Sequence, residues 1–195
     1  MVFLSRVNST PQYPAGILLF TTSLKSGGTE KEVLLLCTKI DKKKFLPIVV
    51  SLNGIGPIAE DLKMISIPVF DLEFTGFFKV DAFLKILRRI IKIVSLYKIQ
   101  IIHAYSFGPT IFGVVVSLLT KLPFISSQRN LHMWDRKRYL YTYKLVLRAA
   151  DYILCNSKAG KNLILGKIAS LGKKAKVIYN LIEIPDEDIK IRQHI

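Results

Sequence analysis

Cysteine, proline and glycine are all scarce in this chain of 195 residues, which has 2, 8 and 11 of them. So few cysteines exclude a disulfide scaffold, and so little glycine and proline exclude a collagen-like or low-complexity chain. Cys37 and Cys155 lie in apolar runs and read as buried, reduced thiols of a cytosolic protein. His103, His132 and His194 are far apart, and no Cys/His group has zinc spacing, so neither a metal nor a cofactor is expected.

Acidic residues are also few, 14 against 29 Lys and Arg, and they are unevenly placed. Residues 82–182 hold 18 basic side chains with only Asp135 and Asp151 against them. A positive field over one half of a compact domain favours an anionic partner: a phosphate-bearing substrate, an anionic lipid or a nucleic acid. Long apolar runs are missing as well. The longest uncharged stretch, Ile99 to Thr120, is broken by Gln100, His103, Ser106 and Gly108-Pro109. The break leaves a strand-length and a helix-length piece, each too short to cross a bilayer. The first 16 residues lack the basic start and apolar core of a secretory signal.

What the chain has is apolar material: 50% of its residues are hydrophobic, enough for one domain-sized core and too much for disorder. Apolar runs of strand length occur at Ile17–Thr21, Leu46–Ser51, Val69–Leu72, Ile99–Ala104, Phe124–Ser127, Tyr152–Cys155 and Lys176–Tyr179. Helical periodicity falls between them, at Glu30–Ile40, Pro57–Met64, Val80–Lys98, Pro109–Lys121, Arg136–Ala149 and Lys158–Leu165. Strands that alternate with helices and lack period-2 patterning predict an α/β, doubly wound, mostly parallel sheet of about seven strands. The division expected is an N-terminal extension over 1–16, a Rossmann-like domain over 17–180, and a hinge and tail over 181–195.

Doubly wound sheets bind ligands beyond the carboxyl ends of their strands. After the first strand comes Ser26-Gly27-Gly28-Thr29-Glu30, where paired glycines admit a close backbone approach and Thr29 is placed to cap the next helix. Free N–H groups at that helix start suit a phosphate or an oxyanion, although a plain tight turn has the same sequence. After the second strand, Gly54-Ile55-Gly56-Pro57-Ile58-Ala59 matches the G-x-G-x-x-A dinucleotide fingerprint, with Asp71 and Glu73 near the place of a ribose-binding carboxylate. His103 closes the fourth strand, as a substrate contact or as a satisfied buried histidine. Arg129 and Asn130 follow the fifth strand, and Arg129 offers a planar fork for phosphate or carboxylate. Ser157 follows the sixth, most simply as a helix N-cap.

Lys85, Arg88, Arg89 and Lys92 fall at i, i+3, i+4 and i+7, one continuous helical face. With the later run Arg136-Lys137-Arg138 and its tyrosines, that face suits an anionic bilayer, and equally an ordinary solvated surface. No RNA-binding signature accompanies it, so no nucleic-acid partner is expected.

Four of these pieces, in order, resemble the N-terminal domain of GT-B retaining glycosyltransferases of the family 4-like group. They are Ser26-Gly27-Gly28-Thr29-Glu30, Ile101-Ile102-His103-Ala104, the segment Ala150-Asp151-Tyr152-Ile153-Leu154-Cys155-Asn156-Ser157, and Lys176-Val177-Ile178-Tyr179-Asn180. Many members place a histidine after the fifth strand, where this chain has Gln128-Arg129, and the hinge glycine is Leu181 here. The resemblance implies an acceptor-binding half-enzyme in which Gly27, Gly28, Thr29 and Glu30 face the donor diphosphate. His103, Arg129, Asn130 and Ser157 would then line the acceptor side. It implies a nucleotide-sugar donor and a glycan or lipid-linked acceptor; with the basic face, the expected place is the cytoplasm, peripheral on the inner face of the plasma membrane. It also implies inactivity of these 195 residues without a second domain. Two other readings stand beside it: a membrane-docking subunit of a split transferase, and a small NAD-binding protein using Gly54, Gly56 and Ala59.

Overall fold

The computed structural model describes residues 14–74, 76, 80–129 and 137–180, of which 137–140 by their backbone alone. Strand and helix alternate throughout. The order is β1 (Ala15–Thr21), α1 (Gly28–Lys39), β2 (Phe45–Ser51), α2 (Pro57–Met64), β3 (Val69–Asp71), α3 (Val80–Leu96) and β4 (Ile99–Tyr105). It continues with α4 (Phe107–Thr120), β5 (Phe124–Gln128), α5 (Lys137–Ala149), β6 (Tyr152–Cys155), α6 (Lys158–Lys167), a 3₁₀ turn (Ala169–Leu171) and β7 (Ala175–Val177).

All seven strands are parallel, in the order β3-β2-β1-β4-β5-β6-β7. This is the expected doubly wound sheet, with the fourth strand central. Successive residues of a strand point to opposite faces, and both faces of the sheet centre are packed. Leu19 and Val49 join Val33 and Cys37 of α1 and Ile58 and Leu62 of α2 in one core. Leu18, Phe20, Ile48 and Val50 join residues of α3, α4, α5 and α6 in the other. Beneath β5–β7 on the α1 side no helix packs among the described residues, and Tyr152 and Ile178 are more than half exposed there.

Local signals account for the element ends. Pro57 begins α2, where its missing N–H costs nothing. Lys121 closes α4 in the left-handed region at φ 60°, just before Leu122-Pro123. Asp151 mimics a ladder residue: its carboxylate accepts from Phe124 N at 2.8 Å while its own N–H donates to Phe124 O at 2.9 Å. That exchange ties the start of β5 to the start of β6 and gives the acid of the Ala150-Asp151 segment a structural purpose. Most boundaries move by one or two residues: β1 starts at Ala15, not Ile17, and α4 at Phe107, not Pro109. α1 starts at Gly28 with Gly27 as its N-cap, so Thr29 lies inside the helix and does not cap it. β7 ends at Val177, although Ile178 N still donates to Cys155 O at 2.9 Å.

Candidate functional site

The strand order reverses direction between β1 and β4, and Thr22 and Ser106, just past these two strands, line a crevice there. The first loop is held from below. Leu24 is fully buried and donates its N–H to Gly54 O at 2.8 Å. Gly56 lies so close that a Cβ there would stand 2.7 Å from Lys25 Cα, and Gly54 sits at φ +118°. The glycines of the G-x-G-x-x-A segment therefore serve the packing of one loop on another. Asp71 is used as well, since both its carboxylate oxygens accept from Gly54 N at 3.2 Å. With its glycines packed and its carboxylate spent inside the protein, the dinucleotide reading loses its support.

Gly27 is extended at the head of α1, and Gly28 is exposed with nothing within 4 Å of where a Cβ would stand. Glu30 folds its carboxylate back toward Gly27 and accepts from Ser23 Oγ at 3.3 Å. That negative charge complements the positive end of the helix. The turn thus presents a backbone donor surface with a carboxylate at its rim.

On the other side of the crevice, β4 hands over to α4 through Ser106, a non-glycine residue at φ 68° and ψ −179°. That conformation is close to glycine-only and costs on the order of 1–3 kcal/mol, a strain that marks functional turns. Its carbonyl accepts from Thr110 Oγ1 at 2.6 Å. A network continues through Thr110 to Ser126 at 3.1 Å and from Gln128 Nε2 to Ser126 Oγ at 2.8 Å, while Tyr143 donates to Gln128 Oε1. Above it lies a cavity of about 310 Å³ lined by Thr22, Ser106, Phe107, Gly108, Gln128, Arg129 and Tyr143.

His103 lies under this cavity and outside its lining. It is 8% exposed, its Nε2 stands 2.7 Å from Ser127 Oγ, and its Nδ1 pairs with Tyr105 OH at 3.3 Å. The ring stacks on Tyr105 at 4.3 Å. Burial, and secondarily the Arg129 charge, lower its pKa to about 3, so it is neutral at physiological pH. Burial also raises the Tyr105 and Tyr143 hydroxyls and pushes Cys37 up to about 12, which leaves them protonated.

Arg129 reaches the crevice wall but spends its guanidinium inward. It pairs with Glu32 of α1, donates to Asn180 Oδ1, and stands 5.6 Å over the Tyr105 ring. Glu32, balanced between burial that raises its pKa and Arg129 that lowers it, ends above the ordinary value. A second cavity of about 550 Å³, lined in part by Gly28, Lys31, Glu32, Asp61 and Asn180, lies on the far side of this pair. Ser157 caps α6 by accepting from Gly160 N at 3.0 Å. Asn130 lies outside the described residues. Of the residues singled out in the sequence, then, the fold sets Arg129 in the wall of the first cavity and Gly28 in that of the second, seals His103 beneath the first, and commits Ser157 to a cap. Glu32, Tyr105, Tyr143 and Ser106 join the site with no motif to announce them.

Of the basic row on α3, Lys85, Arg88 and Lys92 are exposed. Arg89 is not in that row: its guanidinium donates to Leu72 O at 2.7 Å and Asp71 O at 2.8 Å. No described helix is long and apolar enough to cross a membrane, and no described group of His, Cys, Asp and Glu is placed to hold a metal.

Solved structures share this architecture. HepE of Anabaena, in complex with UDP and glucose, aligns with a TM-score of 0.68 at 20% identity, over 91% of this chain and 49% of its own. A glycosyltransferase of Rickettsia africae aligns with a TM-score of 0.68 at 16% identity, over 93% and 50%. MurG of Acinetobacter baumannii aligns at 0.61 and 11% identity, over 89% and 47%. The chain spans about half the length of these structures, and at such identities the likeness is one of fold. No curated protein matches the sequence. The sequence pattern of Glycosyltransferase Family 4 matches residues 26–184, from the glycine turn past the last strand, and the chain belongs to that family.

Proposed function

We propose that this chain is the acceptor-binding half of a retaining glycosyltransferase, which moves a sugar from a nucleotide-sugar donor to a cell-envelope or lipid-linked glycan. The observation that carries this reading is the crevice at the strand-order switch, with a helix start on one side and a polar-lined cavity on the other. Backbone N–H groups at Gly28 and Thr29 suit the charge that grows on a departing diphosphate, because donors fixed beforehand need no reorganisation as the bond breaks. The cavity above Gln128 and Ser106 receives the acceptor, with Arg129 in its wall and His103 supporting its floor. HepE's complexes with UDP and UDP-glucose support a nucleotide-sugar as the donor. The exposed Lys85, Arg88 and Lys92 support peripheral docking on the anionic cytoplasmic face of a membrane.

A transferase must hold donor and acceptor together, since most of the gain from positioning vanishes when one partner is merely dissolved. No pocket for a base and a ribose is assigned on this half. The few N–H contacts of the glycine turn do not offset the entropy lost by a flexible nucleotide. The 195-residue chain alone is therefore expected to turn over no sugar and to bind uridine or guanosine diphosphate-sugars no more tightly than about millimolar. Calorimetry across a panel of both, with a product assay, tests this. Micromolar binding of any of them, or product from the isolated chain, overturns the assignment of the donor to another part.

A further inference from the structure

We propose that Arg129 is a positioning residue, a clasp that fixes the segment leaving β7 to the helix that carries the glycine turn, and that it binds no substrate itself. Its position in chain order is where a ligand-facing residue is expected, after β5, yet its donors are turned to the protein. One Nη meets Glu32 on α1, the other meets Asn180 beyond β7, and the guanidinium plane lies over Tyr105 at the end of β4. A single side chain thus joins three places that no backbone ladder connects. Among the described residues, the last ladder bond on this edge is Ile178 N to Cys155 O, two residues before Asn180.

The energetics point the same way. The Arg129 and Glu32 side chains are 9% and 12% exposed, and Arg129 Nε and Glu32 Oε2 are both buried without a hydrogen-bond partner among the described residues. A buried pair left half satisfied is a poor source of stability, and replacing both partners by apolar groups of similar size is often neutral. Geometry is what such a pair supplies. A fork with donors in fixed directions holds two acceptors at once at a set angle, which a lysine cannot do. Glu32 sits one turn along α1 from Gly28, so the clasp sets the glycine turn and the exit of the chain relative to each other. This consequence rests on the reading that the rest of the cleft is supplied from beyond Asn180. The clasp itself is tested without it.

The experiment compares Arg129→Met, Glu32→Leu, the double variant, Arg129→Lys and Asn180→Ala in the 195-residue chain. Thermal denaturation and backbone ¹⁵N relaxation are the readouts. Each single change at the pair leaves a buried charge alone and should lower Tm by roughly 10 °C, while the double variant returns close to the parent. The order parameter of the residue 180 amide should fall from about 0.85 to below about 0.6 in every variant, the thermally restored double variant and Arg129→Lys included, while Ala175–Val177 stay rigid. An Asn180 that stays rigid in the double variant overturns the clasp. So does an Arg129→Lys chain that is as rigid at Asn180 as the parent, since the fork would then be dispensable. Neither readout involves sugar transfer, so failure of the clasp and failure of the transferase assignment are told apart.

Discussion

A methyl group added at Gly28 meets nothing within 4 Å, whereas one at Gly56 runs into the Lys25 backbone. Packing therefore demands glycine at Gly56, whereas nothing described in the protein demands it at Gly28, the residue proposed to face the donor diphosphate. Gly28→Ala should leave Tm unchanged or slightly higher, because alanine is the better helix former by up to about 1 kcal/mol. It should nonetheless lower kcat/KM at least tenfold in the transferase assembled with its donor half. Unaltered kinetics would remove the glycine turn from the site. His103 carries a pH dependence of definite sign. Unfolded, it takes up a proton near pH 6.5; folded, it stays neutral down to about 3. As pH falls through that window the unfolded state binds more protons, so stability declines by up to about 1.4 kcal/mol per pH unit. Between pH 7 and 4.5 urea denaturation should show His103→Gln losing about 2–3 kcal/mol less than the parent. Equal losses would mean that the imidazole is not held neutral. The sequence offered His103 as a ligand contact or a buried histidine, and position along a strand could not choose between them. The partners that decide it, Tyr105 and Ser127, are 2 and 24 residues away.

The helix α3 shows how far spacing reaches. A repeat of i, i+3, i+4, i+7 correctly makes a basic stripe, and Ile86, Leu87, Ile90, Ile93 and Val94 on the other side are buried as the pattern requires. It cannot tell that two carbonyls at the end of β3 capture Arg89. The proposed docking on an anionic bilayer would then rest on Lys85, Arg88 and Lys92, each contributing about 1 kcal/mol near such a surface. Replacing the three with glutamine should weaken cosedimentation with phosphatidylserine vesicles by about two tenfold steps at low salt. Arg89→Gln should leave vesicle binding within twofold of the parent while lowering Tm. Binding unaffected by the triple change would place the docking surface elsewhere. The strands were legible because burial on both faces writes continuous apolar runs. The start of α1 was not, because Gly27 caps through backbone shape and uses no side chain. The 3₁₀ turn at Ala169–Leu171 is too short for any periodicity to mark.

Taken together, the loops assemble a site whose members are strangers in sequence. Arg129 and Glu32 are 97 residues apart, and no composition or motif links them. A parallel sheet makes such meetings unavoidable, since every neighbour of a strand is reached by a crossover. The same arrangement imposes an order in time. β1 is flanked by β2, which follows it closely, and by β4, where Ile17 pairs with Ile101. While a ribosome is still adding residues before Ile99, one edge of β1 is bare, apolar and open to pairing with other chains. The crevice is absent at that stage, because one of its walls has not been made. Arg129 appears later again, after β5. Ligand therefore cannot guide the early steps of folding, and the β1 edge stays open to other chains until β4 is made.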